Sequence, residues 1–186
     1  MLRFLKENGD MIVRCLVTQI ALAVFGLMLS MATTNAASGF LALVTGMFSV
    51  IFYLYLLWDA MWREGSSDKI RIDGGRMQRM PLKGLYVSLL ANVPNLLLAL
   101  LIWIGYFIPA APGNNASQLS ASCQMIAVLF EGMYSGVIAY VNNGTSNASA
   151  FTALLYTLIC LPAPIACSLA YWRGSWDKTF LPQQKK

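Results

Sequence analysis

The sequence of 186 residues contains no histidine. This absence excludes an imidazole general base, a Ser-His-Asp triad and a histidine-containing zinc motif. The sequence also lacks a G-x-S-x-G motif, a phosphate-binding P-loop and a Cys-x-x-Cys pair. A Glu, Asp, Ser or Lys side chain can act without histidine, but no pattern here indicates a catalytic residue, a cofactor or a bound metal.

Charged residues are scarce, at 11% of the chain, while hydrophobic residues make up 58%. Soluble domains carry about 25% charged residues, so this composition argues against a water-soluble fold. Each bilayer crossing by a helix needs about 20 mostly apolar residues. The composition therefore predicts an all-α integral membrane protein with a single polytopic domain over residues 1–186.

The four cysteines show no paired spacing. Three of them, Cys15, Cys160 and Cys167, lie within apolar runs, where a thiol usually packs as a small hydrophobic group. We therefore expect free cysteines and no structural disulfide.

Five hydrophobic segments follow one another along the chain. The first is too long for a signal peptide and lacks a convincing cleavage site, so we interpret it as a retained span. The segments cover residues 11–34, 40–62, 84–109, 121–141 and 150–172.

All 13 Lys and Arg residues fall within three segments, 1–14, 63–83 and 173–186. Because cytoplasmic loops concentrate positive charge, we expect these segments and both termini to be cytoplasmic, in a bacterial cytoplasmic membrane. The number of crossings must then be even. The basic residues of the middle segment are Arg63, Lys69, Arg71, Arg76, Arg79 and Lys83.

An even number of crossings requires one of the five segments not to cross. Segment 121–141 is the weakest, because it contains Glu131, Gln124, two serines and two glycines between uncharged flanks. We predict four transmembrane helices and a short re-entrant or interfacial helix on the outer side. The alternative is five transmembrane helices with an external C-terminal tail.

Two similar motifs suggest an internal repeat. The second span ends Trp62-Arg-Glu-Gly-Ser-Ser-Asp-Lys69, and the last span ends Trp172-Arg-Gly-Ser-Trp-Asp-Lys178. We predict a parallel two-hairpin repeat of 11–69 and 84–178, with an outer insertion at 110–149. Convergence is the alternative, since an interfacial Trp, an Arg and a terminating Gly suit any cytoplasmic helix end.

Polar residues of the third span share one helix face, formed by Ser88, Asn92 and Asn95 at i, i+4 and i+7. Pro94 removes a backbone donor there and predicts a kinked or broken helix. Gln19 of the first span lies at a similar depth. The face either lines a polar ligand site or joins helices through hydrogen bonds of about 0.6 kcal/mol.

Glu131 is the only acidic residue outside the basic segments and their boundary. Gly132 and Gly136 follow it with a spacing that permits close backbone approach to a span. The carboxyl group either binds a cation or a proton, or is solvated at the outer surface.

The basic segment alternates basic and apolar residues around Asp73-Gly74, which is a hairpin turn signal. Its basic residues can contact anionic lipid headgroups, each contributing about 1 kcal/mol. Docking to another membrane-protein subunit is the alternative. Without a long soluble segment, nucleic acid is not an expected partner.

These features favour a transporter, or a membrane subunit or accessory of a transport complex. A second hypothesis is a membrane enzyme acting on lipid, with Glu131 or Asp59 as its acid/base. A third is a membrane scaffold.

Overall fold

The computed structural model describes residues 2–34, 39–107, 116–141 and 150–176, which form helices and no strand. Two long helices come first and shorter helices follow, separated by breaks at Asn92, Glu131 and residues 160–161. The helices are α1 (Leu2–Thr34), α2 (Gly39–Asp73), α3 (Lys83–Ala91), α4 (Val93–Phe107), α5 (Ala116–Phe130), a 3₁₀ turn (Gly132–Tyr134), α6 (Ser135–Val141), α7 (Ala150–Ile159) and α8 (Pro162–Ser175).

Three helical stretches are long and apolar enough to cross a membrane, and two bent pairs bring the number to five if each counts as one span. The stretches are Asn8–Thr33, Gly39–Asp73 and Ala153–Ser175. The pairs are Lys83–Ala91 with Val93–Gly105, bent by 58°, and Ser122–Phe130 with Gly132–Val141, bent by 93°. The all-helical class and the apolar helices of spanning length are confirmed, while the number of crossings stays a prediction.

Helix α2 continues well past the predicted end of the second span. Its 35 residues extend over about 52 Å at 1.5 Å per residue, whereas the hydrocarbon core is about 30 Å thick. The helix ends in a Schellman motif, with Gly75 at a φ of 68° and the Arg76 amide donating to the Arg71 carbonyl at 2.9 Å. The predicted hairpin turn at Asp73-Gly74 is therefore wrong, because these residues end a helix.

The third span is broken at Asn92, between α3 and α4, as predicted from Pro94. Proline has no N–H and cannot continue the hydrogen-bond ladder of the preceding helix. The ladder resumes where the Leu96 amide donates to the Asn92 carbonyl at 3.0 Å.

The chain divides into two compact units of very different charge. Unit 1 comprises residues 1–15, 54–91 and 162–186, and unit 2 comprises residues 16–53 and 92–161. All 13 Lys and Arg residues and every acidic residue except Glu131 belong to unit 1. Glu131 is thus the one Asp, Glu, Lys, Arg or His in the sequence of unit 2.

In unit 2, the turn after Glu131 packs directly on two long helices. A Cβ atom added to Gly132 would lie 2.5 Å from Leu27 Cγ of α1, and one added to Gly136 would meet the Ala42 carbonyl of α2. The predicted close backbone approach of these glycines is confirmed. An apolar cluster joins α4, α5 and α7 in the same unit, formed by Ile102, Cys123, Ala127, Ala153 and Tyr156.

In unit 1, the glycines of the two similar motifs pack on each other. A Cβ atom on Gly65 would lie 2.6 Å from the Tyr171 carbonyl oxygen, and one on Gly174 would meet the Trp62 carbonyl. Each would also lie 3.2 Å from the other glycine's Cα. The contact is therefore reciprocal, whereas the repeat and the outer insertion stay predictions; residues 110–115 and 142–149 of that insertion lie outside the described residues.

Candidate functional site

Glu131 occupies the break between α5 and the 3₁₀ turn, where the chain bends by 93°. Its amide donates to the Ala127 carbonyl at 2.7 Å, and its carbonyl accepts from the Tyr134 amide at 2.8 Å. The Ser135 hydroxyl donates to the Gly132 carbonyl at 2.6 Å. These bonds pair main-chain groups at the break without using the Glu131 side chain.

The Glu131 side chain is buried, with 3% exposure. The Cys160 thiol lies 3.3 Å from its Oε1 atom and is its hydrogen-bond donor. The same thiol also donates to the Tyr156 carbonyl at 3.3 Å, so its one hydrogen is shared between the two oxygens. The second carboxyl oxygen, Oε2, is buried without a hydrogen-bond partner among the described residues. A buried polar atom of this kind costs free energy and calls for a bound proton, ion or water.

Two tyrosines contribute to the electrostatic environment of this carboxyl group. Tyr134, three residues further along the chain, and Tyr156 of α7 both interact electrostatically with Glu131. The Tyr134 hydroxyl is also buried without a hydrogen-bond partner in the described part of the chain. We call Glu131, Tyr134, Tyr156 and Cys160 the Glu131 site.

The Glu131 site has no basic residue available within its own unit, because the sequence of unit 2 contains no Lys, Arg or His. An ionised carboxylate that is buried without a counter-charge is strongly disfavoured. Within the described residues, no group of three or more His, Cys, Asp or Glu side chains is placed to hold a metal ion. The carboxyl group of this site can bind a proton or a monovalent cation.

Asn92 and Asn95 are both buried and lie next to each other at the break of the third span. The Asn95 amide donates to Asn92 Oδ1 at 3.4 Å, while Asn95 Oδ1 is buried without a partner in the described part. Ser88 and Gln19 are buried as well. A polar cavity that these residues share with one another or with Glu131 stays a prediction.

Unit 1 contains a second buried polar arrangement, which the sequence did not reveal. Lys83 Nζ donates to Glu64 Oε1 at 3.1 Å and to Asp68 Oδ2 at 2.5 Å. The Tyr171 hydroxyl donates to the same Asp68 oxygen at 2.9 Å, and Arg71 Nη1 lies 3.5 Å from Asp68 Oδ1. We call these residues the Asp68 cluster; it joins α2, α3 and α8.

Lys83 was expected in a basic surface loop, but its side chain is only 4% exposed at the start of α3. The absence of a side chain at Gly84 permits this burial, since a Cβ atom there would lie 2.5 Å from the Cys167 carbonyl. A separation of 15 residues between Asp68 and Lys83 hides their pairing from any local pattern.

The other five basic residues of this segment are at least partly exposed. Arg63, Lys69 and Arg71 belong to α2 and not to a loop. The Arg63 guanidinium pairs with Asp59 at 2.9 Å, and the Arg79 guanidinium lies 4.7 Å from the centroid of the Trp176 ring. All four cysteines are free and buried.

Comparison of this chain with protein-family models, with curated proteins and with solved structures finds no match. The residues of the Glu131 site are therefore the basis for assigning a function.

Proposed function

We propose that this protein is a small membrane transporter, or the transport subunit of a larger membrane complex, coupled to a proton or monovalent cation bound at Glu131. One observation carries this proposal: a carboxyl group is buried, one of its oxygens has no hydrogen-bond partner among the described residues, and its unit contains no other charged residue. Ionisable residues within membrane segments are costly, and they mark ion and proton pathways.

The backbone around Glu131 also suits a transport site. Broken helices commonly form binding sites in transporters, because they expose polar backbone groups where lipid is excluded. The Glu131 site combines a break between α5 and the 3₁₀ turn with Cys160, which lies in the break between α7 and α8.

Four crossings with cytoplasmic termini are part of the same proposal, with residues 121–141 as the re-entrant or interfacial segment on the outer side. Helix α5 has 15 residues and extends over about 22 Å, short of a hydrocarbon core of about 30 Å. The bend of 93° then turns the chain away from its initial direction. Both features support a segment that enters and leaves on one side.

We also propose that the exposed basic residues of α2 contact anionic lipid headgroups. The side chains of Arg63 and Arg71 are 70% and 59% exposed. Ile70 is 75% exposed beside them. Mixed basic and apolar exposure of this kind suits the headgroup region of a bilayer.

Concentration jumps applied to proteoliposomes on a solid-supported membrane test the function directly. Jumps of H⁺, Na⁺ or K⁺ would be applied in turn, and the transient current recorded. We expect the wild type to give a current with at least one of these cations, and Glu131→Gln to abolish it, since the amide keeps the shape and removes the charge.

Asp59→Asn is the matched control, because it makes the same chemical change in an exposed ion pair of α2. It should keep the wild-type current. A wild type whose currents equal those of protein-free liposomes for all three cations would overturn the proposal, as would a full current from a folded Glu131→Gln variant.

A further inference from the structure

Glu131 poses a chemical question beyond the proposed function, namely which cation it binds. Its Oε1 atom accepts a hydrogen bond from the Cys160 thiol, and its Oε2 atom has no partner among the described residues. We infer that the ligand of Glu131 is a proton carried on Oε2, while Oε1 keeps the thiol hydrogen bond. This inference rests on the proposed function.

The groups facing Glu131 favour a proton over a metal cation. In the described part of the chain, the side chains that interact with Glu131 are one thiol and two phenols, from Cys160, Tyr134 and Tyr156. Dehydrated metal cations of the hard class are held by several carboxylate, carbonyl or water oxygens. The Cys160 thiol supplies no oxygen ligand for such a cation. Its hydrogen already points at one carboxyl oxygen of Glu131, where a cation would have to bind.

The lack of other charged residues in unit 2 also favours a proton as the ligand of Glu131. The parts of α1 and α2 in unit 2, together with α4, α5, α6 and α7, contribute no Lys, Arg, His or second acidic residue. The titratable group of α5 is Cys123, which packs within the apolar cluster. A proton neutralises Glu131 completely without further ligands, which is the least costly state for a carboxyl group in such an environment.

The packing of the turn also favours the protonated state. The glycines that follow Glu131 lie directly on α1 and α2, so the carboxyl group is held away from water while the turn is packed. One proton taken from water converts the carboxylate to the neutral acid, with no other bond changed. Its release would leave a buried charge without a counter-charge from the same unit, which is strongly disfavoured. The packed turn therefore favours the protonated form of Glu131.

Infrared spectroscopy of the purified protein tests the ligand independently of transport. At neutral pH we expect a carbonyl stretching band of a protonated carboxylic acid, which shifts in D₂O and is absent from Glu131→Gln. Cys160→Ala should keep the band and move it to higher frequency, because the thiol hydrogen bond to Oε1 is lost. The variants would first be shown to be folded by gel filtration and circular dichroism.

Absence of the band from the wild type would show an ionised carboxylate and overturn the proton assignment, as would a band that persists in Glu131→Gln. A Na⁺ or K⁺ current that requires Glu131 would then leave the proposed function standing with a different ion. A band that does not move in Cys160→Ala would contradict the arrangement in which the thiol bonds the carbonyl oxygen.

Discussion

Among the described residues, each of the two units buries one carboxyl group, and the two groups differ in their hydrogen-bond partners. Asp68 in unit 1 has no exposed surface, and its oxygens accept from Lys83, Tyr171 and Arg71. Glu131 in unit 2 is almost as buried, but within the described ranges it has one thiol donor and an oxygen without a partner. Full pairing indicates a structural role, whereas the unpaired oxygen indicates a place for a ligand.

The difference follows from how charge is distributed along the chain. Unit 1 holds every Lys and Arg, so a buried acid there can recruit partners from three helices. Close helix contacts at Gly65, Gly84 and Gly174 bring those partners into reach. Unit 2 contains no basic residue in its sequence, so a buried carboxyl group there has no counter-charge from its own unit.

The largest effect is expected from removing the Asp68 carboxylate. Asp68→Asn leaves Lys83 buried with only Glu64 as its acidic partner, and breaking a buried ion pair costs about 3–5 kcal/mol. We expect a loss near the lower end, because Glu64 stays in place. Equilibrium unfolding in mixed detergent micelles would measure it.

Two variants make the Asp68 result specific. Asp59→Asn removes an exposed ion pair of the same helix, and such pairs contribute about 0–1 kcal/mol. Asp68→Asn combined with Lys83→Met should recover most of the lost stability, since no buried charge is left unpaired. An Asp68→Asn variant as stable as Asp59→Asn would contradict a structural role for the Asp68 cluster.

A smaller effect is expected at Asn95, whose amide bonds Asn92 while its oxygen is unpaired. Asn95→Leu removes one hydrogen bond between polar groups in the membrane, which costs about 0.6 kcal/mol. The same unfolding experiment should show this small loss, and the cation current should persist. Loss of the current without loss of stability would instead identify Asn95 as part of a ligand site.

Several features of this fold could be predicted from sequence because they depend on local composition. The apolar segments predicted the helices, Pro94 predicted the break at Asn92, and Gly132 and Gly136 predicted a turn packed closely on other helices. Glu131 could be identified as a candidate site because it is a single charge in an apolar stretch.

Other features depend on contacts between distant residues and could not be predicted. Cys160 lies 29 residues from Glu131, and Tyr171 lies 103 residues from Asp68, so no spacing rule links them. The error at Asp73-Gly74 has a local cause: the same glycine-rich signal ends a helix in a Schellman motif as readily as it forms a hairpin.

The Glu131 side chain, on this account, binds a ligand and does not stabilise the fold. The free energy of unfolding of Glu131→Gln tests this claim most directly. The amide still accepts the Cys160 hydrogen bond and no longer carries an ionisable group, so we predict a stability equal to or slightly above that of the wild type. A loss as large as that of Asp68→Asn, measured in the same detergent micelles, would contradict the claim and return Glu131 to a structural role.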